Sequence, residues 1–434
     1  MNKLFHLILA LFLISACSFD KNSKFWSKPK IVEKEEIIDY QEIFPKEEAL
    51  KKEFNSGLKL RLDSKIFSNA SFDDNLNSNN IYKIDGNLKK LSRYKFSKIK
   101  KFNQYQPEIT FVRDNIIFFD NKGSILQFNK ESKLVWKKNY YSKSEKKMNP
   151  ILQFANDGKN LIVADNIAKY YLLDIKTGNL IWSKNNIAPF NSQIKIYREK
   201  FFIIDFSNTL RCFSLKDGNE LWNIKTEDTL IRSQKKLSMV IVDEVVYFNN
   251  SNGDISAVNL KDGELLWQLP TQSSLIYESA FTLQTSDIIT DKESLFFSNN
   301  KNQFFSIDIK SGSFNWENKI NSNIRSAIIG DYLITVSIEG YLIISEKRTG
   351  KIIRVTDIFQ NFKSKKRSKI KPTGFIVGSK NIYLSTSNGR LLTVDILSGK
   401  TILSLKIDNE KISKPFIHKK NLFLIKNSAI IKLN

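Results

Sequence analysis

Two cysteines and two histidines in a chain of 434 residues leave little material for chemistry. Two Cys cannot staple a disulfide-rich scaffold, and His6 and His418 cannot build a multi-histidine metal site. His418 alone makes no catalytic triad, and no G-x-S-x-G elbow, glycine-rich phosphate loop or adjacent cysteine pair occurs. After the first sixteen residues no apolar run approaches the ~20 residues that a membrane-crossing helix needs. What the chain has in excess is positive charge: 68 Lys and Arg against 45 Asp and Glu, a net +23. Such a balance raises nucleic acid or an anionic membrane as partners.

Residues 1–16 (MNKLFHLILALFLISA) pair one Lys with an apolar run and small residues, the grammar of a secretory signal. Leu13 to Cys17 (LISAC) resembles the bacterial lipobox, so Cys17 is expected to be acylated and to become the mature N-terminus. Ser18 follows where Asp would favour the inner membrane in the enterobacterial sorting rule, which points to the outer membrane. Residues 17–80 mix Lys with Glu and end in an Asn/Ser-rich stretch, as a flexible tether does, with one short helix near Glu47–Phe54. The alternation of Leu58, Leu60 and Leu62 also allows part of this stretch to pack as an edge strand. Signal and tether carry almost no net charge, so the whole excess lies on 81–434.

From about residue 107 the chain repeats one phrase: YLLDIKTGNLIW at 171–182, CFSLKDGNELW at 212–222, AVNLKDGELLW at 257–267 and FSIDIKSGSFNW at 305–316. A degenerate first copy ends at Trp136, and two later copies keep Gly350 and Gly399 but place Arg354 and Leu403 at the Trp position. The spacing is in the forties, with short β-rich runs and turns such as Asn252-Gly253 and Asn388-Gly389, and this predicts one four-stranded propeller blade per repeat. A Trp once per blade is expected to pack between neighbouring blades, since a cofactor would need only one. Residues 107–434 accommodate eight blades of about 41 residues. The last has only three strands of its own, and the alternating run Leu91–Ile99 can supply the fourth and close the ring. The expectation is an all-β fold: one eight-bladed propeller of four-stranded antiparallel blades over 81–434, completed by an N-terminal strand. Cys212, within a strand-like run, reads as a small core filler.

The D-x-x-[TD]-G-x-x-x-W phrase is that of the pyrroloquinoline-quinone-like propeller repeat. With the lipobox and the tether, the chain resembles the BamB family of outer-membrane β-barrel assembly lipoproteins. The resemblance implies a non-enzymatic scaffold without cofactor, lipid-anchored in the outer membrane and facing the periplasm. It further implies binding to the periplasmic domains of the central assembly subunit, and help in delivering or positioning unfolded outer-membrane proteins. In that family, loops between middle blades dock on the central subunit through an apolar-Arg segment and acidic residues one blade later. Leu230, Ile231 and Arg232 match the first part, while Glu278 and Asp287 match the second only loosely.

Quinoprotein dehydrogenases use the same repeat, but this chain lacks their adjacent cysteines, and its Asp residues fall in turns. A peptidoglycan- or carbohydrate-binding propeller remains the other alternative, with Tyr and Phe as stacking platforms. The basic run 363–371 (KSKKRSKIK) reads as a solvated loop or a contact with anionic headgroups or peptidoglycan. An exported lipoprotein meets no nucleic acid, so that partner is not expected.

Overall fold

The computed structural model describes residues 52–60, 76–100, 102, 107–226, 235–272 and 283–434. Cys17, Leu230, Ile231, Arg232, Leu62 and Glu278 lie outside the described residues.

The described residues form eight four-stranded antiparallel sheets, seven of them running in simple sequence order. They follow one another as blades 1 to 8, starting at Thr110–Val112, Leu152–Asn156, Lys195–Tyr197, Met239–Val242, Ile289–Thr290, Ala327–Ile329, Pro372–Val377 and Phe416–His418. Blade 8 takes its outermost strand from the other end of the chain. Lys90–Lys95 pairs with Ala429–Leu433, Tyr94 opposite Ile430 and Lys95 opposite Ala429, as the alternation of that run predicts. Hydrogen bonds between the first and last strands thus close the ring within blade 8.

The two middle strands of each blade are buried on both faces, which is why Ile162–Ala164, Phe201–Ile204 and Ile382–Leu384 read as unbroken apolar runs. Seven hydrophobic clusters hold this surface, and most join the facing sides of two consecutive blades. Phe213 of blade 3, for example, lies with Ile162 and Leu172 of blade 2, and Cys212 lies with Met239 and Phe248 of blade 4.

The repeated phrase is the joint between blades. In blades 2, 5 and 7 the third strand ends on an Asp whose carboxylate accepts the backbone N–H three residues on, as Asp174 does from Thr177 at 2.7 Å and Asp308 from Ser311 at 2.8 Å. Next comes a glycine with positive φ, +69° at Gly218, pressed against the Trp of the preceding blade. A Cβ there would stand 2.7 Å from the Trp182 ring, so both conformation and space demand glycine. Trp136, Trp222, Trp267 and Trp316 meet Gly178, Gly263, Gly312 and Gly350 in the same way. The indole N–H of Trp182, Trp267 and Trp316 donates to the carbonyl three residues before that glycine.

Arg354 stands in for the missing Trp of blade 6. It is fully buried, its guanidinium lies 3.0 Å from where a Gly399 Cβ would sit, and it donates to the Ile396 carbonyl, again three residues before the glycine. It also donates to the carbonyls of Leu397 and Leu58.

The turn between the second and third strands carries its own acid. Asp165 accepts from the Ile167 and Lys169 N–H groups and from the Tyr141 hydroxyl at 2.5 Å. Burial holds its carboxyl up at about 6 against the pull of those bonds. The folded state therefore binds this proton more tightly than the unfolded chain, so stability falls as pH rises from the ordinary Asp range to about 6. Blade 4 has Asn250 at the equivalent place, bonding the same backbone groups. Asp165→Asn is expected to gain up to about 2 kcal/mol at neutral pH and to lose that advantage below the ordinary Asp range. Urea unfolding at both pH values checks this, and equal midpoint differences would refute it.

Candidate functional site

The first strands of the blades converge on the propeller axis, and the residues just ahead of them meet there. Glu108, Gln193, Asp287, Arg325 and Lys414 each lie two positions before the first strand of blades 1, 3, 5, 6 and 8. The four charged ones form an ion network with Lys236, which precedes blade 4. Glu108 lies 2.5 Å from both Lys236 and Lys414, and Asp287 lies 3.0 Å from Arg325 and 3.7 Å from Lys414. Lys235 beside them donates to the carbonyls of Thr285 and Asn323. Burial alone would raise the Glu108 carboxyl, but Lys236, Lys414 and Arg325 together hold it well below the carboxylate range. Asp287 is held low by Lys414, Arg325 and Lys235 against the same opposition. Burial lowers Lys235 to about 8, and the neighbouring Lys414 and Arg325 add to that push while Asp287 resists it. Asp287, a loose match to an acidic docking residue, is thus an interior partner of the axial network.

An N-terminal segment enters the same space. The Leu76 carbonyl accepts from Ile241 N–H of blade 4, and Asn77 from Thr290 of blade 5. The Asn79 amide exchanges two bonds with the backbone of Ile328 in blade 6, at 2.9 and 3.1 Å. Asn80 and Tyr82 pair with Val377 of blade 7. The Asn-rich composition that reads as a tether serves here to satisfy the inward edges of four consecutive blades, and Asn77 to Asn80 are all buried. Residues 52–60 lie on the rim instead. Phe54 exchanges backbone bonds of 2.8 and 3.1 Å with Val355 in the outermost strand of blade 6, so it sits in a β-bridge and not in the expected helix.

Between the N-terminal segment and blades 8, 1, 2 and 3 remains a cavity of about 670 Å³. Its walls include Ser78, Glu108, Phe111, Phe154, Gln193, Lys195, Arg198 and Lys414. Lys195 reaches across it to the Ser78 hydroxyl at 3.1 Å.

Elsewhere the chemistry-bearing side chains are committed to structure. His418 stacks on Phe111 at 4.6 Å, with its Nε2 against the Arg113 carbonyl, and burial lowers its pKa. Cys212 is buried, and desolvation pushes its thiol up to about 12. Tyr94, Tyr171 and Tyr383 are core residues and not open platforms. In the basic run, Ser364–Arg367 forms one helical turn, and Arg367 bonds back to Asp357 over the Tyr341 ring. Among the described residues no group of three or more His, Cys, Asp or Glu could hold a metal ion, and no helix is long and apolar enough to cross a membrane.

The blade rims are apolar. Leu134 and Val135, Leu180 and Ile181, Leu265 and Leu266, and Ile402 and Leu403 begin the outermost strands of blades 1, 2, 4 and 7, and all are exposed. In blade 6, Ile352 and Ile353 are only half-buried equivalents, next to Phe54 and Asn55.

The sequence reading missed the axial network, because its members sit in separate inter-blade loops, with only Lys235 and Lys236 adjacent in the chain. Aligning the repeats at the residue two before each first strand brings Glu108, Asp287, Arg325 and Lys414 into one register, with Lys236 one residue off it.

The family model described as outer membrane protein assembly factor BamB matches residues 121–356. Among solved structures, that of BamB from Moraxella catarrhalis is similar with a TM-score of 0.65 at 14% identity, covering 80% of this chain and all of that one. The computationally designed Ika8 protein matches with 0.58 at 11% identity, over 79% of this chain and all of its own. The C-terminal WD40 domain of Sif2 gives 0.58 at 11%, over 82% of this chain and 99% of its own. At these identities the structural likeness speaks to the fold alone. No curated protein sequence matches the chain.

Proposed function

The chain belongs to the outer membrane protein assembly factor BamB family, and from that premise we propose that it is a non-enzymatic scaffold in the assembly of outer-membrane β-barrel proteins. The observation that carries this reading is the family match over the Trp-bearing repeats, joined to a closed propeller whose reactive side chains are committed to structure. The partner is the central assembly subunit, engaged through its periplasmic domains. Unfolded outer-membrane proteins are the second class of contact. The apolar rims suit them, and the Phe54–Val355 pairing illustrates how such an edge takes an extended segment. Affinity purification of the tagged protein from mild-detergent membranes should recover a large outer-membrane barrel protein with repeated periplasmic domains. A quinone spectrum with alcohol- or sugar-dependent dye reduction would overturn the reading.

Two finer assignments follow from the sequence. Leu230, Ile231 and Arg232 form the docking segment, with Arg232 as its anchor between apolar neighbours. Arg232→Glu should reduce recovery of the barrel subunit at least tenfold, the loss of about 1.4 kcal/mol or more, with the thermal unfolding midpoint unchanged. Undiminished recovery removes the segment from the interface. Cys17 carries the lipid that holds the protein to the periplasmic face of the outer membrane. Cys17→Ser should move the chain from the membrane pellet to the soluble periplasmic fraction, and a variant that stays in the pellet contradicts the anchor.

A further inference from the structure

We propose that one face of the propeller, along the arc from blade 6 through blades 7, 8, 1 and 2 to blade 3, lies against an anionic phospholipid surface. In an antiparallel blade the connection to the next blade and the turn between the second and third strands emerge at the same end. Along this arc hydrogen bonds join them one to the next. Lys371 N–H donates to the Ser387 hydroxyl at 2.9 Å, Asp408 N–H to the Gly389 carbonyl, and the Asn427 amide to Glu410. Ile99 N–H donates to the Asn427 carbonyl, Lys100 N–H to the Asn121 side chain, and the Asn121 amide to Asn149. Ile151 N–H bonds the Asn166 side chain, and Asn186 N–H ends the series on the Ala168 carbonyl.

The charge of this surface is one-sided. The run 363–371 exposes five lysines, and Lys98, Lys100, Lys122, Lys143 and Lys147 are exposed beyond it. Among the described residues none of these ammonium groups meets a carboxylate. The acids of the same connections and turns are withdrawn. Asp120 is buried against Lys137 at 3.0 Å, Asp165 is buried, Glu145 bonds Lys169 at 3.0 Å, and Asp408 bonds Lys426. Only Glu410 among them is exposed. At the opposite end of the blades, the turns between third and fourth strands set Asp beside Lys, as Asp174 with Lys176, Asp217 with Lys216, and Asp262 with Lys261. A Lys-rich composition alone would not sort its charges this way.

Two apolar tips select a bilayer over a soluble acidic protein. Ile187 is 95% exposed, between Asn186 and Pro189, whose backbones are held by bonds to Ala168 and Phe206. Met148 is 58% exposed and follows the helical turn Lys143–Lys147. One exposed apolar side chain is ordinary on any surface. Two at loop tips among unpaired lysines fit the headgroup boundary, with the tips at the acyl edge and the cations among the phosphates. The lipid anchor at Cys17, on which this inference rests, brings a bilayer within reach. The connection that carries Leu230–Arg232 follows blade 3 and falls outside the arc, which leaves it for the partner subunit.

The test uses the full acylated chain with Ile187→Cys, labelled by an environment-sensitive thiol dye, since Cys212 is buried and stays unlabelled. The protein is added to vesicles of phosphatidylcholine alone, or of equal parts phosphatidylcholine and phosphatidylglycerol. On the anionic vesicles acrylamide quenching of the dye should fall about threefold relative to the neutral ones, and high salt should restore most of it. A dye at Lys216→Cys, at the opposite end of the blades, should be equally open on both. Lys363→Glu, Lys365→Glu and Lys366→Glu together should remove most of the protection at 187 with the unfolding midpoint unchanged. Equal quenching at 187 on both vesicles, or protection that survives the charge reversal, overturns the proposal. Protection that appears only when the solubilised barrel subunit is added also overturns it, and assigns the face to a protein. Flotation with neutral vesicles reports the anchor separately: a chain that floats only with anionic vesicles lacks the lipid, yet its dye still reads the face.

Discussion

Replacing Glu108 with Gln is expected to destabilise the propeller by about 1–3 kcal/mol at neutral pH, less than for a fully buried pair because the network is only half-buried. Glu108 neutralises two ammonium groups from blades that are not its neighbours in sequence, Lys236 of blade 4 and Lys414 of blade 8. With the carboxylate gone, both cations stay half-buried beside Arg325 and Lys235, and only Asp287 opposes them. The direction of the Glu108 shift sets the pH dependence. Its folded pKa is depressed, so its stabilisation is present above the ordinary Glu range and disappears as pH falls through the folded value. The native protein and Glu108→Gln should therefore differ most at neutral pH and converge in strong acid. Urea titrations at the two extremes measure both quantities. A difference below about 1 kcal/mol at neutral pH would mean that water screens the axis as it screens a surface pair.

Arg354 tests the joint between blades. Arg354→Ala should cost about 3–5 kcal/mol, because it opens a cavity under Gly399 and strips donors from the carbonyls of Leu58, Ile396 and Leu397. Arg354→Trp restores the residue found in the earlier blades. An indole there can reach the Ile396 carbonyl as Trp182 reaches Leu215 and Trp316 reaches Lys347. It cannot also hold the Leu58 carbonyl. The Trp variant should thus recover more than half of the stability lost in the Ala variant while making residues 52–60 more sensitive to limited proteolysis. If Trp proves as damaging as Ala, the Arg is not a substitute for the inter-blade Trp.

The ring itself was legible in the sequence because each blade repeats the same physical demand. A hairpin glycine must face an aromatic from the blade before, so Gly178, Gly218, Gly263 and Gly312 recur with Trp136, Trp182, Trp222 and Trp267. Closure by Lys90–Lys95 was legible for a different reason: the last blade was one strand short. The axial site was hidden because Glu108, Asp287 and Lys414 look like isolated loop charges until the ring brings them together. Residues 76–82 were hidden by their polarity. Asn and Ser read as solvated tether, yet side-chain amides can satisfy exposed sheet edges as well as a strand can. Arg354 was visible as a departure from the repeat, but its bonds to Ile396, Leu397 and Leu58 needed the packed joint.

Closing the ring with an N-terminal strand has a consequence for how the protein is made. Lys90–Lys95 emerges from a ribosome or a translocation pore more than three hundred residues before its partner, Ala429–Leu433. Until then blades 1 to 7 form an open row with an apolar sheet face bare at each end, and loop closure across the whole row is still owed. Blade 8 can be completed only with the final strand, so a chain stopped short of Ala429 should leave Lys90–Lys95 unpaired and be cut there first by a protease.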